Sequence, residues 1–264
     1  MTTLRDTAPP HPVTRLRGRN LIAVASGKGG VGKTWFSVTL SHALARMGRR
    51  VLLFDGDLGM ANVDVQLGLC PERDIGAVID GTRTMEQVLS RYAEGGFDVI
   101  AGQSGVNVAA TITMPTVSRI GAGVLGLAER YDHAVLDLGA GLDRNVQHFA
   151  ALSAIALVVI TDEPTSLTDA YAFIKVMHRA TPEMDIGVVV NLADNPTAGR
   201  TTYETIRKAC RAFLDYEPQL AGIVRRDVMV TDAIRSQNPI LFHAPYTTAA
   251  RDVEDIAKRL ARRG

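Results

Sequence analysis

The chain of 264 residues has two cysteines, Cys70 and Cys210, far apart and with no second cysteine at metal-ligand spacing. This excludes a disulfide framework and a zinc site, and leaves two buried thiols in a reducing cytosol as the simplest reading. No apolar run approaches the roughly 20 residues that a spanning helix needs, and the N-terminus lacks the apolar region of a secretory signal. The expected location is therefore cytoplasmic. Net charge is only +1, so binding to nucleic acid or to an anionic surface has to be local. There is no internal repeat, and no low-complexity segment beyond the N-terminal stretch.

What is present is an ordinary globular composition, 46% hydrophobic and 22% charged. The length suits one α/β unit with a large core. Residues 1–20 hold three prolines and the basic cluster Arg15, Arg17 and Arg19, and are expected to form a flexible basic tail. Residues 21–264 are expected to form a single domain. Apolar runs at 21–25, 51–55, 97–101, 133–138, 155–161, 186–191 and 220–224 predict strands. Helical patterns at 34–47, 114–129, 145–151, 167–180, 201–214 and 228–236 alternate with them. Repeated β-α-β units imply a mostly parallel sheet with helices on both faces, whose ligands bind at the carboxyl ends of the strands.

The most informative stretch is Ser26 to Thr34, S-G-K-G-G-V-G-K-T, between an apolar strand and a helical pattern. This is the context of a phosphate-binding P-loop. Gly27, Gly29, Gly30 and Gly32 let the backbone around Val31 turn N–H groups inward, and the following helix aims its positive end at the same place. Lys33 is expected to reach the β and γ phosphates and the Thr34 hydroxyl to ligate the bridging magnesium. Farther on, Asp55 and Asp57 lie two residues apart at a strand end that faces the γ-phosphate in a P-loop fold. A third aspartate, Asp137, ends an apolar strand ahead of Gly139-Ala140-Gly141. That is the Walker B arrangement, which holds magnesium through water.

Lys28, early in K-G-G-V-G-K-T, is the mark of the deviant Walker A class, and the chain resembles the MinD/ParA ATPases. The resemblance implies that Lys28 reaches across a homodimer to the partner's ATP, that Asp57 orients the attacking water, and that Asp55 supports the magnesium shell. It also implies that Asn191 reads the adenine edge, with the backbone around Arg225 to Asp227 forming the other wall of the base pocket. Three stretches are similar to the FlhG/FleN flagellar-number regulators in particular: Asp55 to Leu69, Asp137 to Leu142, and Thr161 to Lys175, T-D-E-P-T-S-L-T-D-A-Y-A-F-I-K. Asp232 to Leu241 adds a fourth. That family implies an ATP-dependent dimer that restrains flagellar assembly, with an FlhF-like GTPase as partner.

Two features depart from that pattern. The family's N-terminal D-Q-A-x-x-L-R segment, which stimulates the partner GTPase, is represented only by Asp6-Thr-Ala and a separated Arg15-Leu-Arg17, interrupted by prolines that forbid a regular helix. The family's C-terminal amphipathic helix, its means of peripheral contact with the cell membrane, corresponds to Arg251 to Gly264. Here Val253, Ile256, Ala257 and Leu260 fall at helical spacing with no aromatic among them. They are expected to pack on the core instead. The alternative function is a ParA-type partition or cargo-positioning ATPase binding DNA, with Arg200, Arg207, Arg211, Arg225 and Arg226 as its candidate patch. A metabolic relative is disfavoured by the missing C-x-x-C, and a scaffold that binds ATP without hydrolysing it is disfavoured by Asp57.

Overall fold

A computed structural model describes residues 17–102 and 112–262. Its elements are β1 (Gly18–Ser26), α1 (Lys33–Arg46), β2 (Val51–Gly56), α2 (Val63–Leu67), α3 (Ile75–Ile79), β3 (Ser90–Tyr92) and β4 (Phe97–Ile100). There follow α4 (Met114–Ala128), β5 (His133–Ala140), α5 (Arg144–Ala151), β6 (Ser153–Ile160) and α6 (Pro164–Ala180). The chain then forms β7 (Asp185–Ala193), α7 (Pro196–Leu214), β8 (Gln219–Arg225), α8 (Val228–Arg235), α9 (Ile240–His243) and α10 (Thr248–Ala261).

The strands form one sheet in the order β3-β4-β2-β5-β1-β6-β7-β8. All pairings are parallel except β3 with β4. Strand side chains alternate between faces, so Leu21, Ala23 and Ala25 enter one core with α3 to α7 while Ile22 and Val24 enter the other with α1, α2, α9 and α10. Burial on both faces explains why the central strands read as unbroken apolar runs. The C-terminal ends of β1, β2 and β5 lie side by side in the middle of the sheet, in the register Val24, Asp137 and Asp55.

The expected tail through Leu16 lies outside the described residues, as do Arg263 and Gly264. Its boundary needs correction, because β1 begins at Gly18 and pairs there with Ser153. Arg17 is already tied to Glu183 at 2.8 Å. At the other end, α10 lies against the sheet with Val253, Ile256, Ala257 and Leu260 buried. All its large apolar residues are used in that packing. Among the described residues no helix is long and apolar enough to cross a membrane.

Candidate active site

The loop between β1 and α1 has glycine where only glycine fits. Gly32, the residue that caps α1, has φ of 85°, in the left-handed region, and a Cβ there would collide with the Asn191 amide. Gly27 passes so close to the Asp169 backbone on α6 that a Cβ would collide there too. At Gly29 and Gly30, by contrast, a Cβ would meet nothing within 4 Å. The loop is thus packed on its inner side and open on its outer one.

Helix α1 starts without a side-chain cap and with no acidic residue in its first turn. Side chains cap α5, α7 and α8 but not α4, α6 or α10, so what sets the start of α1 apart is the glycine loop that leads into it. An uncapped, undamped helix start beside a glycine loop leaves its N–H groups and positive end for an anion. Lys33, in the first turn, is buried and places Nζ 3.3 Å from Asp137 Oδ1. Ser37, one turn later, donates to the same oxygen at 2.9 Å. Thr34 is half-buried beside them.

The aspartates have separate surroundings. Asp55 is fully buried; its Oδ1 accepts from Asp57 N at 3.2 Å, and its Oδ2 from Asn62 and Val63 N, both at 3.1 Å. Burial, and next the charge of Asp137, push its carboxyl up to about 7, against those three backbone bonds. Asp55 therefore shapes the loop that carries Asp57 and starts α2. Asp57 is half-buried, and its Oδ1 accepts from Gly59 and Met60 N at 3.2 and 2.9 Å. Its carboxylate faces Gly139, where a Cβ would lie 3.4 Å from Oδ1.

These groups suit a hard divalent cation. Asp55 and Asp137 are neighbours on paired strands and both buried, with the single charge of Lys33 against them, and the Thr34 hydroxyl adds an oxygen ligand. Among the described residues no group of three His, Cys, Asp or Glu forms a metal cage. Phosphate and water would complete the shell, as is usual for magnesium.

Other expected residues take unexpected positions. Lys28 pairs with Glu163 and is 3.1 Å from the Thr165 hydroxyl, so it is folded onto the start of α6 in its own chain. Asn191 is buried, and its Nδ2 donates to the Val31 carbonyl at 2.8 Å. It therefore braces the P-loop from below, and its Oδ1 has no partner among the described residues. The next residue, Leu192, has φ of 57°, a left-handed conformation rare outside glycine. The Arg225 guanidinium grips Asp252 on α10 at 2.9 and 2.8 Å, and its backbone N–H donates to the same carboxylate at 3.0 Å, so the backbone expected at the base pocket is tied to α10. Glu163, Thr165 and Ser37 were not anticipated. Ser37 was legible as the position four after Lys33 on one helix face, and Glu163 lies in the E-P-T segment that sets the sequence apart.

Of the five arginines of the DNA alternative, four are ion-paired and Arg200 has no ion-pair partner among the described residues. Arg207 pairs with Glu204 and Glu217, Arg211 with Glu217, Arg225 with Asp252 and Arg226 with Asp194. The acidic partners reduce the net charge of the patch, with Glu217 shared between Arg207 and Arg211.

Residues 22–240 match the family described as the CobQ/CobB/MinD/ParA nucleotide binding domain. The chain is 36% identical to the antiactivator FleN of Pseudomonas aeruginosa, over 97% of its own length and 89% of that protein's. It is 29% identical to the flagellum site-determining protein YlxH of Helicobacter pylori, over 89% and 80% of the two chains. Among solved structures, the septum site-determining protein MinD of Pyrococcus horikoshii, complexed with Mg-ADP, superposes with a TM-score of 0.78. That match covers 92% of this chain and 96% of the other at 23% identity, so it speaks for the fold.

Proposed function

Because the chain belongs to the CobQ/CobB/MinD/ParA nucleotide-binding family and covers almost all of a FleN relative, we propose that it is an ATPase switch that limits the number or sets the place of flagella. The observation that carries the chemistry is the uncapped start of α1, with Lys33, Asp55, Asp57 and Asp137 gathered around it at the ends of three adjacent strands. Phosphoryl transfer is mostly positioning and charge stabilisation, and these groups supply both.

The N–H groups of Gly27 to Thr34 bind the phosphates of ATP, and Lys33 leaves Asp137 to reach them. Magnesium, when bound, neutralises the charge that the phosphates share; Thr34 and Asp137 are the residues that would hold it, with Asp55 shaping the loop beside it. Asp57 orients the water through the oxygen that its own turn leaves unused. Asn191 accepts from the adenine amino group through Oδ1 while its amide keeps the loop in place. Lys28, released from Glu163, reaches the nucleotide of a second subunit, so that ATP joins two chains and hydrolysis parts them. A partner, an FlhF-like GTPase or a flagellar regulator, reads the dimer.

Counting flagella per cell by electron microscopy after deletion of the gene tests the role. Extra or misplaced flagella are expected; unchanged flagella would move the function to DNA or cargo positioning. The mechanism has its own test. Lys33→Ala should abolish nucleotide binding, and Asp57→Ala should remain dimeric in ATP by light scattering. A monomeric Asp57→Ala protein in saturating ATP refutes the switch.

A further inference from the structure

The strands β2, β5 and β1 begin side by side at the edge of the sheet opposite the P-loop, in a register that pairs Val51 with His133 and Leu21 with Ala134. Arg49 and Arg50, just before β2, therefore stand on one flank of His133, and Arg19, in β1, stands on the other. A pocket of about 220 Å³ lies there, under the last turn of α10. Ile22, Ile155 and Leu260 form its apolar part, and Arg19, Asp132 and His133 its polar wall. A cavity of about 150 Å³ holds benzene, so a single ring has room here. None of the residues assigned to phosphate, water or base lines it.

The charges on this wall do not cancel. Asp132, the carboxylate that lines the pocket, already accepts from Arg50 N at 2.7 Å and from Arg50 Nη2 at 3.1 Å. Arg19 and Arg49 are exposed, and neither has a carboxylate partner among the described residues. Arg49 reaches only the Ala261 carbonyl, at 3.5 Å, beside the pocket residue Leu260 and too long a contact to hold it firmly. Burial, and next the charge of Arg49, lower the His133 ring, which puts that guanidinium next to the wall and leaves the imidazole neutral at pH 7. Two unspent cations thus border an apolar floor.

We propose that this pocket binds a small organic anion, with its carboxylate or phosphate between Arg19 and Arg49 and an apolar body of about one ring on Ile22, Ile155 and Leu260. A guanidinium fork matches either anion, and it keeps its charge at any pH the protein meets. The neutral His133 ring adds a hydrogen-bonding group on the same wall. Strands β1 and β5 run from this pocket to the P-loop and to Asp137, so the ligand sits at the far ends of two strands that carry the nucleotide site.

Calorimetric titration of the full chain tests this with benzoate, phenyl phosphate and acetate, in excess Mg-ADP so that the P-loop is filled. One of the two aromatic anions should bind once per chain, about tenfold or more tighter than acetate, because only the ring covers the apolar floor. The tighter of the two tells a carboxylate ligand from a phosphate one. Arg19→Gln and Arg49→Gln should each weaken that binding about tenfold, as the loss of a charged hydrogen bond does. Their thermal midpoints should stay unchanged, since both side chains are exposed. Acetate binding as tightly as the aromatic anions would make the site a counterion cloud and overturn the proposal. So would the absence of saturable binding, or binding that neither substitution weakens.

Discussion

Asn191→Ala separates two duties that fall on one side chain. The amide nitrogen donates to the buried Val31 carbonyl at 2.8 Å. Its removal forfeits about 1 kcal/mol for the bond, and the stranded carbonyl raises the total to about 2 kcal/mol. For a chain of this size that lowers the thermal midpoint by about 5 °C. The amide oxygen is expected to accept from the adenine amino group; guanine presents a carbonyl at the same place. Losing that bond should cut the preference for ATP over GTP by about fivefold, the equivalent of about 1 kcal/mol. Asn191→Asp keeps an acceptor and loses the donor, so it should be destabilised while still preferring ATP. Competition binding of the two nucleotides and thermal unfolding read the two effects separately. If Asn191→Ala melts early but discriminates as well as the natural chain, Asn191 is a brace for the P-loop and reads nothing.

Glu163→Gln should release Lys28 and lower the ATP concentration at which dimers form, by up to about fivefold, since an exposed ion pair contributes about 0–1 kcal/mol; sedimentation at graded ATP measures it. Removing the chain after Ala249 takes away Val253, Ile256 and Leu260, whose burial is worth roughly 5–8 kcal/mol out of a typical total of ~5–15. The shortened chain should be unfolded by circular dichroism, and a folded one would refute the packing of α10. Burial, and then the Arg46 charge, lower His42 from 6.5 to about 4. The unfolded chain takes up that proton first as pH falls, so the contribution is complete above 6.5 and is lost toward 4, a change of about 3 kcal/mol. Urea midpoints between pH 7 and 4 should fall less steeply in His42→Leu, although His133, lowered in the same direction by its burial, keeps part of the slope.

The parallel sheet and the P-loop were legible because their causes are local. Strands buried on both faces are continuous apolar runs, and a glycine loop followed by Lys-Thr has one common chemical use. The stretch from Met60 to Gly96 was not legible: α2 and α3 have five residues each and β3 three, too short for either periodicity to show. Asp74 caps α3 by accepting from Gly76 N, a cue visible only once the helix is known. Partners that come together from distant sequence, Asp252 on Arg225 and Glu163 on Lys28, carried no local sign at all. The second turned aside a side chain that motif reasoning had aimed at a nucleotide.

Taken together, such ties describe a site that is satisfied within one chain. Lys28 is held by Glu163, Lys33 by Asp137, and one oxygen of Asp57 by its own turn. The ties are weak where motion is needed. The Lys28 pair is exposed, and Lys33 stands 3.3 Å from Asp137, longer than the roughly 2.8 Å of a strong charged bond. They are firm where motion would be harmful, for Ser37 keeps Asp137 at 2.9 Å after Lys33 departs, and three backbone amides hold Asp55. Phosphate entering the loop then has to draw Lys33 from Asp137, a buried contact whose loss the phosphate charge itself offsets, while every structural anchor stays in place. A site arranged so is built to take nucleotide without remodelling its sheet, and under the proposed switch the release of Lys28 from Glu163 is the change left for the second subunit to exploit.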